Sequence, residues 1–88
     1  MKYIVSDAFV QICNQIVDEK KHIEEWGKIE SDDMFNLENY RGGFDATENE
    51  FCFSVFLNED EFWFQVSLDQ VNKIARGIIN EVEIRKAE

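Results

Sequence analysis

The chain has 88 residues, 44% of them hydrophobic, and a formal net charge of -10 at pH 7. This length is suited to a single domain over 1–88, and eight Phe and two Trp residues argue against a disordered chain. The acidic balance disfavours direct binding to nucleic acid or to an anionic membrane, because both need clustered Lys and Arg.

The first part of the chain has the pattern of a helix. Ser6 is a suitable N-cap, and apolar residues recur after it at helical spacing. Gly27 stands where a C-cap glycine belongs, so the pattern predicts a helix over about 7–26. The next residues, 28–38, are poorly periodic, and we predict a loop there that could include one helical turn.

A strand pattern follows, because the apolar positions alternate between residues 40 and 68. Two strands joined by a four-residue acidic loop, Asn58–Glu61, would pair Leu57 with Phe62 and place both apolar rows on one face. This register predicts one hairpin of a sheet.

A second four-residue loop upstream, Thr47–Glu50, would pair Ala46 with Phe51 and Phe44 with Phe53. The alternation again leaves the apolar residues on the same face. The two hairpins together predict a three-stranded antiparallel meander.

The last part of the chain has the pattern of a second helix. Ser67 and Gln70 have the spacing of a capping box, and an apolar stripe extends from Val71 to Val82. Gly77 inside this helix would cost about 1 kcal/mol relative to Ala, which a close approach between helix and sheet would explain. We therefore predict an α+β fold, a three-stranded antiparallel meander with two helices on one face, in the order α-β-β-β-α.

The two cysteines, Cys13 and Cys52, fall on the predicted first helix and on a strand, and they match no metal or thioredoxin spacing. Two buried thiols and a Cys13–Cys52 disulfide are both compatible with the sequence. There is no signal-peptide pattern and no apolar stretch near the roughly 18 residues of a membrane span. We therefore expect a cytoplasmic protein.

The predicted register turns two large aromatic residues away from the core. Phe56 and Trp63 would lie directly opposite each other on the outer sheet face, with Arg41 beside Phe56. Two aromatics beside an Arg on an open face are typical of an anchor patch that binds a protein partner. The alternatives are that residues 28–38 or a homodimer partner cover the pair, or that the pair only stabilises the sheet.

The acids are unevenly distributed along the chain. Twelve of the nineteen lie between Glu24 and Glu61, a stretch with only two bases, Lys28 and Arg41. Five of these acids occupy the two predicted loops: Glu48, Glu50, Glu59, Asp60 and Glu61. They could keep a Phe-rich sheet soluble and protect its edges, or they could steer the domain towards a basic surface.

The sequence lacks the common patterns for chemistry. It has no EF-hand loop, no Gly-rich phosphate loop and no nucleophile with an adjacent base. His22, the single histidine, lies near acidic residues on the predicted helix, which is typical of a surface residue. We expect no enzyme activity, no catalytic residue, no metal and no cofactor.

In size, charge and element order, the chain resembles the small acidic anti-CRISPR proteins of phages. Some of these combine helices with a three-stranded sheet and occupy the DNA-recognition site of a nuclease. The resemblance implies a non-enzymatic inhibitor that acts in the host cytoplasm and blocks the nucleic-acid site of a basic nuclease or CRISPR effector. It also implies roles for seven residues, with phosphate-like carboxylates at Glu48, Glu50, Glu59, Asp60 and Glu61 and apolar anchors at Phe56 and Trp63.

Two other functions are compatible with the same pattern. An immunity protein or antitoxin against a nuclease toxin would also turn its acids towards a basic active site. A homodimeric assembly protein would bury the face around Phe56 and Trp63 between two copies, and its acids would serve solubility.

Overall fold

The structure is a computed structural model, which describes residues 1–19, 35–45 and 47–87. The helices and strands of these residues are β1 (Lys2–Ile4), α1 (Asp7–Glu19), β2 (Phe35–Leu37), β3 (Tyr40–Asp45), β4 (Glu50–Leu57), β5 (Asp60–Val66), α2 (Leu68–Ala75), β6 (Glu81–Glu83) and β7 (Arg85–Lys86). Together they form an α+β fold, as the sequence predicts.

Strands β2, β3, β4, β5 and β7 form an antiparallel sheet in that order, and β1 pairs with β6 in a separate two-stranded sheet. The predicted meander corresponds to β3, β4 and β5. The three-stranded prediction was therefore incomplete, because β2 and β7 extend the sheet by one strand on each side. Strand β2 also corrects the last part of the loop predicted over 28–38, since three residues are too few to show a period, while residues 28–34 of that prediction lie outside the described residues.

Some predictions fall outside the described residues. They concern the first helix beyond residue 19 and, within 20–34, His22, Gly27 and five of the acids. The described part of the first helix begins at Asp7, directly after Ser6, as the sequence predicts.

The β4–β5 hairpin turns through two residues, not four. Leu57 pairs with Asp60, and the turn residues Asn58 and Glu59 have φ values of 51° and 74°. Two consecutive residues with positive φ are typical of a type I′ turn, for which Asn-Gly is the usual sequence signal. Because Glu occupies the second position, the sequence lacks the usual signal for this turn. The predicted pairing of Leu57 with Phe62 was therefore wrong.

The β3–β4 register also differs from the prediction. Phe44 pairs with Phe51, so the predicted pairs of Phe44 with Phe53 and of Ala46 with Phe51 were wrong. A carboxylate oxygen of Asp45 accepts hydrogen bonds from two backbone N–H groups of the following loop, at 3.0 and 3.3 Å, and so closes the turn earlier than predicted. Both hairpins shift by two residues, which keeps every side chain on its predicted face.

Helix α2 begins with the predicted capping box. The N–H of Gln70 donates to the hydroxyl oxygen of Ser67 at 3.1 Å, and the N–H of Ser67 donates to Oε1 of Gln70 at 2.9 Å. These two bonds satisfy backbone donors that the first turn of a helix leaves without partners. The sequence therefore located this helix start correctly.

The end of α2 corrects the prediction of a helix up to Val82. Gly77 has a φ of 74° and donates its N–H to the carbonyl of Ile74 at 3.1 Å, while the N–H of Ile78 donates to the carbonyl of Lys73 at 2.9 Å. These two bonds form a Schellman motif, in which glycine is favoured because it tolerates a positive φ. A Cβ at Gly77 would meet nothing within 4 Å, so a close approach to the sheet is not the reason for this glycine.

The core lies between one face of the five-stranded sheet and the two helices. Phe9 of α1 is fully buried, with its ring centroid 5.0 Å from that of Phe53, 5.2 Å from Phe64 and 5.1 Å from Tyr40. Val71 of α2 is buried in the same cluster. Removal of this apolar surface from water is the main favourable contribution to folding.

Candidate functional site

The outer face is the side of the five-stranded sheet that is turned away from the core. One row of paired residues crosses all five strands on this face: Asn36, Arg41, Ser54, Trp63 and Arg85. The guanidinium carbon of Arg85 lies 5.5 Å from the centroid of the Trp63 ring, a cation–π arrangement. A tryptophan with a base stacked against it is therefore part of a surface that carries both charge and apolar area.

The two aromatic anchors share the outer face but are not directly opposite each other. Phe56 pairs with Glu61, and Trp63 pairs with Ser54, so the predicted pairing of Phe56 with Trp63 was wrong. The two-residue turn is the cause, because it shifts β5 by two residues along β4. Phe56 and Trp63 are diagonal neighbours instead, a separation of about 7–8 Å that large rings can span.

Arg41 also occupies a different place from the predicted one. It pairs with Ser54, while Asn39 lies beside Phe56 and exchanges two hydrogen bonds with it. The Phe56 N–H donates to the carbonyl of Asn39, and the Asn39 side-chain amide donates to the carbonyl of Phe56, both at 3.0 Å. The structure thus places Arg41 directly beside Ser54, in the row that contains Trp63, and diagonal to Phe56.

The outer face combines apolar area with polar contacts. Phe56 is 42% exposed, and Trp63 is half-buried. The hydroxyl of Ser54 donates a hydrogen bond of 3.0 Å to Oε1 of Glu61, which fixes this carboxylate above β4. Phe56 is therefore the more accessible of the two predicted anchors.

The predicted acidic residues lie at two opposite ends of β4. Glu48 and Glu50 are at its start, while Glu59, Asp60 and Glu61 follow its end. A strand of eight residues is about 24 Å long, so these two groups do not converge on one compact site.

The end with the β4–β5 turn carries a further acid. The β2–β3 turn lies at the same end of the sheet, because Tyr40 pairs with Val55. We call the four acids of this region the acidic turn end: Glu38, Glu59, Asp60 and Glu61. Asp60 forms an exposed ion pair of 3.6 Å with Lys86, and the acidic turn end borders the outer face next to Phe56.

Sequence reasoning missed Arg85 as part of the outer face and Lys86 as the ion-pair partner of Asp60. No strand was predicted in this part of the chain, because the apolar stripe of the predicted second helix was extended as far as Val82. An available signal was the alternation of Glu81, Val82, Glu83 and Ile84, which has the period of a strand. The structure shows the same alternation, with Val82 and Ile84 buried and Glu81 and Glu83 exposed.

The two cysteines lie on opposite sides of the sheet, and neither forms a disulfide. Cys13 is buried on α1, and burial raises the pKa of its thiol to about 12. Cys52 is exposed on the outer face, so the prediction of a buried thiol holds for Cys13 and was wrong for Cys52.

We expect iodoacetamide at pH 8 to alkylate Cys52 in the folded protein and to leave Cys13 intact. The raised pKa keeps the Cys13 thiol protonated, and the thiolate is the reactive form. Mass spectrometry of peptides before and after denaturation measures both sites. Rapid labelling of Cys13 in the folded protein would contradict the position of α1 over the core.

A second group with a raised pKa lies away from the outer face. The hydroxyl of Tyr40 accepts hydrogen bonds from the backbone N–H and the hydroxyl of Ser6, and it donates to the hydroxyl of Tyr3 at 3.2 Å. Burial, followed by the hydrogen bond with Tyr40, raises the pKa of Tyr3 to about 12. At neutral pH this phenol is protonated and cannot act as a base. The hydrogen bonds of Tyr40 connect β3 to β1 and to the residue that precedes α1.

Within the described ranges, no three His, Cys, Asp or Glu side chains come together in a way that could hold a metal ion. None of the described helices is long and apolar enough to cross a membrane. The described residues thus define an α+β protein with an aromatic, mixed-charge sheet face beside an acidic turn end. Comparison with known proteins found no matching family model, no matching curated protein and no matching solved structure.

Proposed function

We propose that this chain is a non-enzymatic protein that binds a basic partner through its outer face and its acidic turn end. The partner is a nucleic-acid-handling protein, such as a nuclease or a CRISPR effector, and binding blocks its DNA or RNA site. The observation that carries the proposal is the exposure of Phe56, 42%, directly beside Glu61 at the acidic turn end. Aromatic anchors with charged surroundings are typical of protein-binding surfaces.

The size of the outer face supports a partner that also contacts the acidic turn end. At about 3.4 Å per residue and 4.8 Å between strands, a face as long as β4 and five strands wide covers roughly 500 Å². A specific interface buries about 800 Å² on each partner. The outer face alone is therefore too small, and the adjoining acidic turn end supplies the remaining contact area.

The positions of the carboxylates favour one group of them for the proposed role as phosphate mimics. Glu59 and Glu61 adjoin the aromatic anchors, whereas Glu48 and Glu50 lie at the far end of β4. Duplex DNA carries one charge per about 1.7 Å of its axis, so closely spaced acids are needed to imitate it. We assign the phosphate-like role to the acidic turn end and leave Glu48 and Glu50 outside the contact.

Two variants with equal changes of charge test this assignment. Glu59→Gln with Glu61→Gln removes two charges beside the anchors, and Glu48→Gln with Glu50→Gln removes two at the far end. Gln at position 61 retains an acceptor for the hydroxyl of Ser54. We expect the first variant to lose most of the captured partner, because steering and contact charges are lost together, and the second to retain it. Affinity capture from a lysate, quantified by mass spectrometry, measures both variants.

A further inference from the structure

Strand β7 is held to the sheet by a short stretch of backbone pairing and by side-chain contacts that are exposed to solvent. Its pairing with β5 is limited to two residue pairs, Arg85 with Trp63 and Lys86 with Phe62, followed by a hydrogen bond of 2.9 Å from the N–H of Ala87 to the carbonyl of Glu61. The side chains of Arg85 and Lys86 are both exposed. Exposed ion pairs and cation–π contacts stabilise a fold only weakly.

The chain just before β7 is anchored much more firmly. Val82 and Ile84 are 5% and 1% exposed, and both belong to the hydrophobic core. The N–H of Ile84 also donates to the carbonyl of Met1 at 2.8 Å. The boundary between core and surface therefore falls at Ile84, and β7 can leave the sheet without loss of buried apolar side chains.

The charges of β7 and of the adjacent strand β5 are complementary. The side chain of Lys86 forms an ion pair of 3.6 Å with Asp60, and the guanidinium of Arg85 stacks against Trp63. The neighbouring residues Glu59 and Glu61 carry two further carboxylates. The edge of β5 thus carries acidic residues and a half-buried indole, and the chain covers it with two consecutive bases.

We propose that the edge of β5 is a docking site for a basic, extended segment of a partner protein, which replaces β7. The incoming segment adds a strand to the sheet, places a guanidinium on Trp63 and places a second base at Asp60. Strand addition of this kind gains affinity from main-chain hydrogen bonds and specificity from alternate side chains. Strand β7 acts as an internal competitor for the same edge. This inference rests on the proposed function, because it specifies the chemistry of a basic partner.

The test uses a synthetic, N-acetylated peptide with the sequence Val-Glu-Ile-Arg-Lys-Ala-Glu, which copies the region of β7. The full chain is compared with its Arg85→Glu, Lys86→Glu variant, whose own β7 is repelled by the acidic edge. We expect the peptide to bind the variant at least about tenfold more tightly than the wild type, a difference of roughly 1.4 kcal/mol. Chemical-shift changes should be concentrated in the amides of Asp60–Trp63 and of the displaced residues Arg85–Ala87. A control peptide with both bases replaced by Glu should not bind.

Equal affinity for the wild type and the variant would overturn the proposal, as would shift changes centred away from both β5 and β7. If the double variant does not fold, Arg85→Ser with Lys86→Ser provides the milder comparison under the same criteria. The peptide assay uses no cellular partner. Its failure would contradict the docking edge but not the proposed function, which the capture experiment tests. Conversely, specific peptide binding without capture of any basic protein would support the docking edge and contradict the proposed function.

Discussion

Replacing Phe64 with alanine is expected to lower the free energy of unfolding by about 3–5 kcal/mol. Phe64 is 1% exposed, and its ring lies 5.2 Å from that of Phe9 and 5.7 Å from that of Phe53. The substitution removes apolar contact and leaves a cavity that the surrounding rings cannot fill by small movements. Since small domains are stable by only about 5–15 kcal/mol, this loss is a large part of the total.

The neighbouring residue provides a matched control for this prediction. Trp63 is adjacent in sequence but belongs to the outer face, so Trp63→Ala should lower the free energy of unfolding by much less than Phe64→Ala. Urea denaturation of the two variants, followed by circular dichroism, measures both values. Equal losses would mean that the two side chains do not lie on opposite faces, and the register of β5 would be wrong.

Gly42→Ala is expected to destabilise the protein by about 1–3 kcal/mol or more, the usual cost of excess volume in a packed region. A Cβ at this position would lie 2.3 Å from the carbonyl oxygen of Cys52 and 2.5 Å from a ring carbon of Phe53. The ring can rotate a little, but the carbonyl belongs to the paired backbone of β4. Relief of the clash therefore requires β3 and β4 to separate.

The effect of Gly42→Ala is measured as a fall in Tm. A change of 1 kcal/mol corresponds to roughly 4–8 °C for a domain of 60–100 residues. Gln65→Ala is a suitable control, because Gln65 is exposed near the end of β5 and its substitution creates no clash. An unchanged Tm for Gly42→Ala would show that β3 and β4 do not approach as closely as described.

The faces of the strands could be predicted from the sequence more reliably than their register. Alternation fixes which side of a strand is buried, and Phe53 and Phe64 are on the predicted inner face. The register depends on the turn, and the turn at Asn58 and Glu59 has Glu where Gly is the usual signal. As a result, the pairing was displaced by two residues while every side chain kept its face.

The candidate site could be predicted only in part for the same reason. Phe56 and Trp63 were expected directly opposite each other on the outer face, and they are diagonal neighbours there, while Glu61, which was predicted in the loop, pairs with Phe56. Arg85 was missed, because the helical stripe was extended past Gly77 and concealed the short strand that follows. A two-residue strand gains its position from tertiary pairing, which local periodicity cannot show.

The most direct test of the binding proposal is affinity capture from a lysate of the source organism or its natural host at roughly physiological salt. The wild type is compared with the Glu59→Gln, Glu61→Gln variant and with the Glu48→Gln, Glu50→Gln variant. We predict that the wild type and the second variant retain the same basic nuclease or other nucleic-acid-handling protein, and that the first variant loses it. Recovery of only further copies of this chain, or equal retention of a partner by both variants, would contradict the proposal.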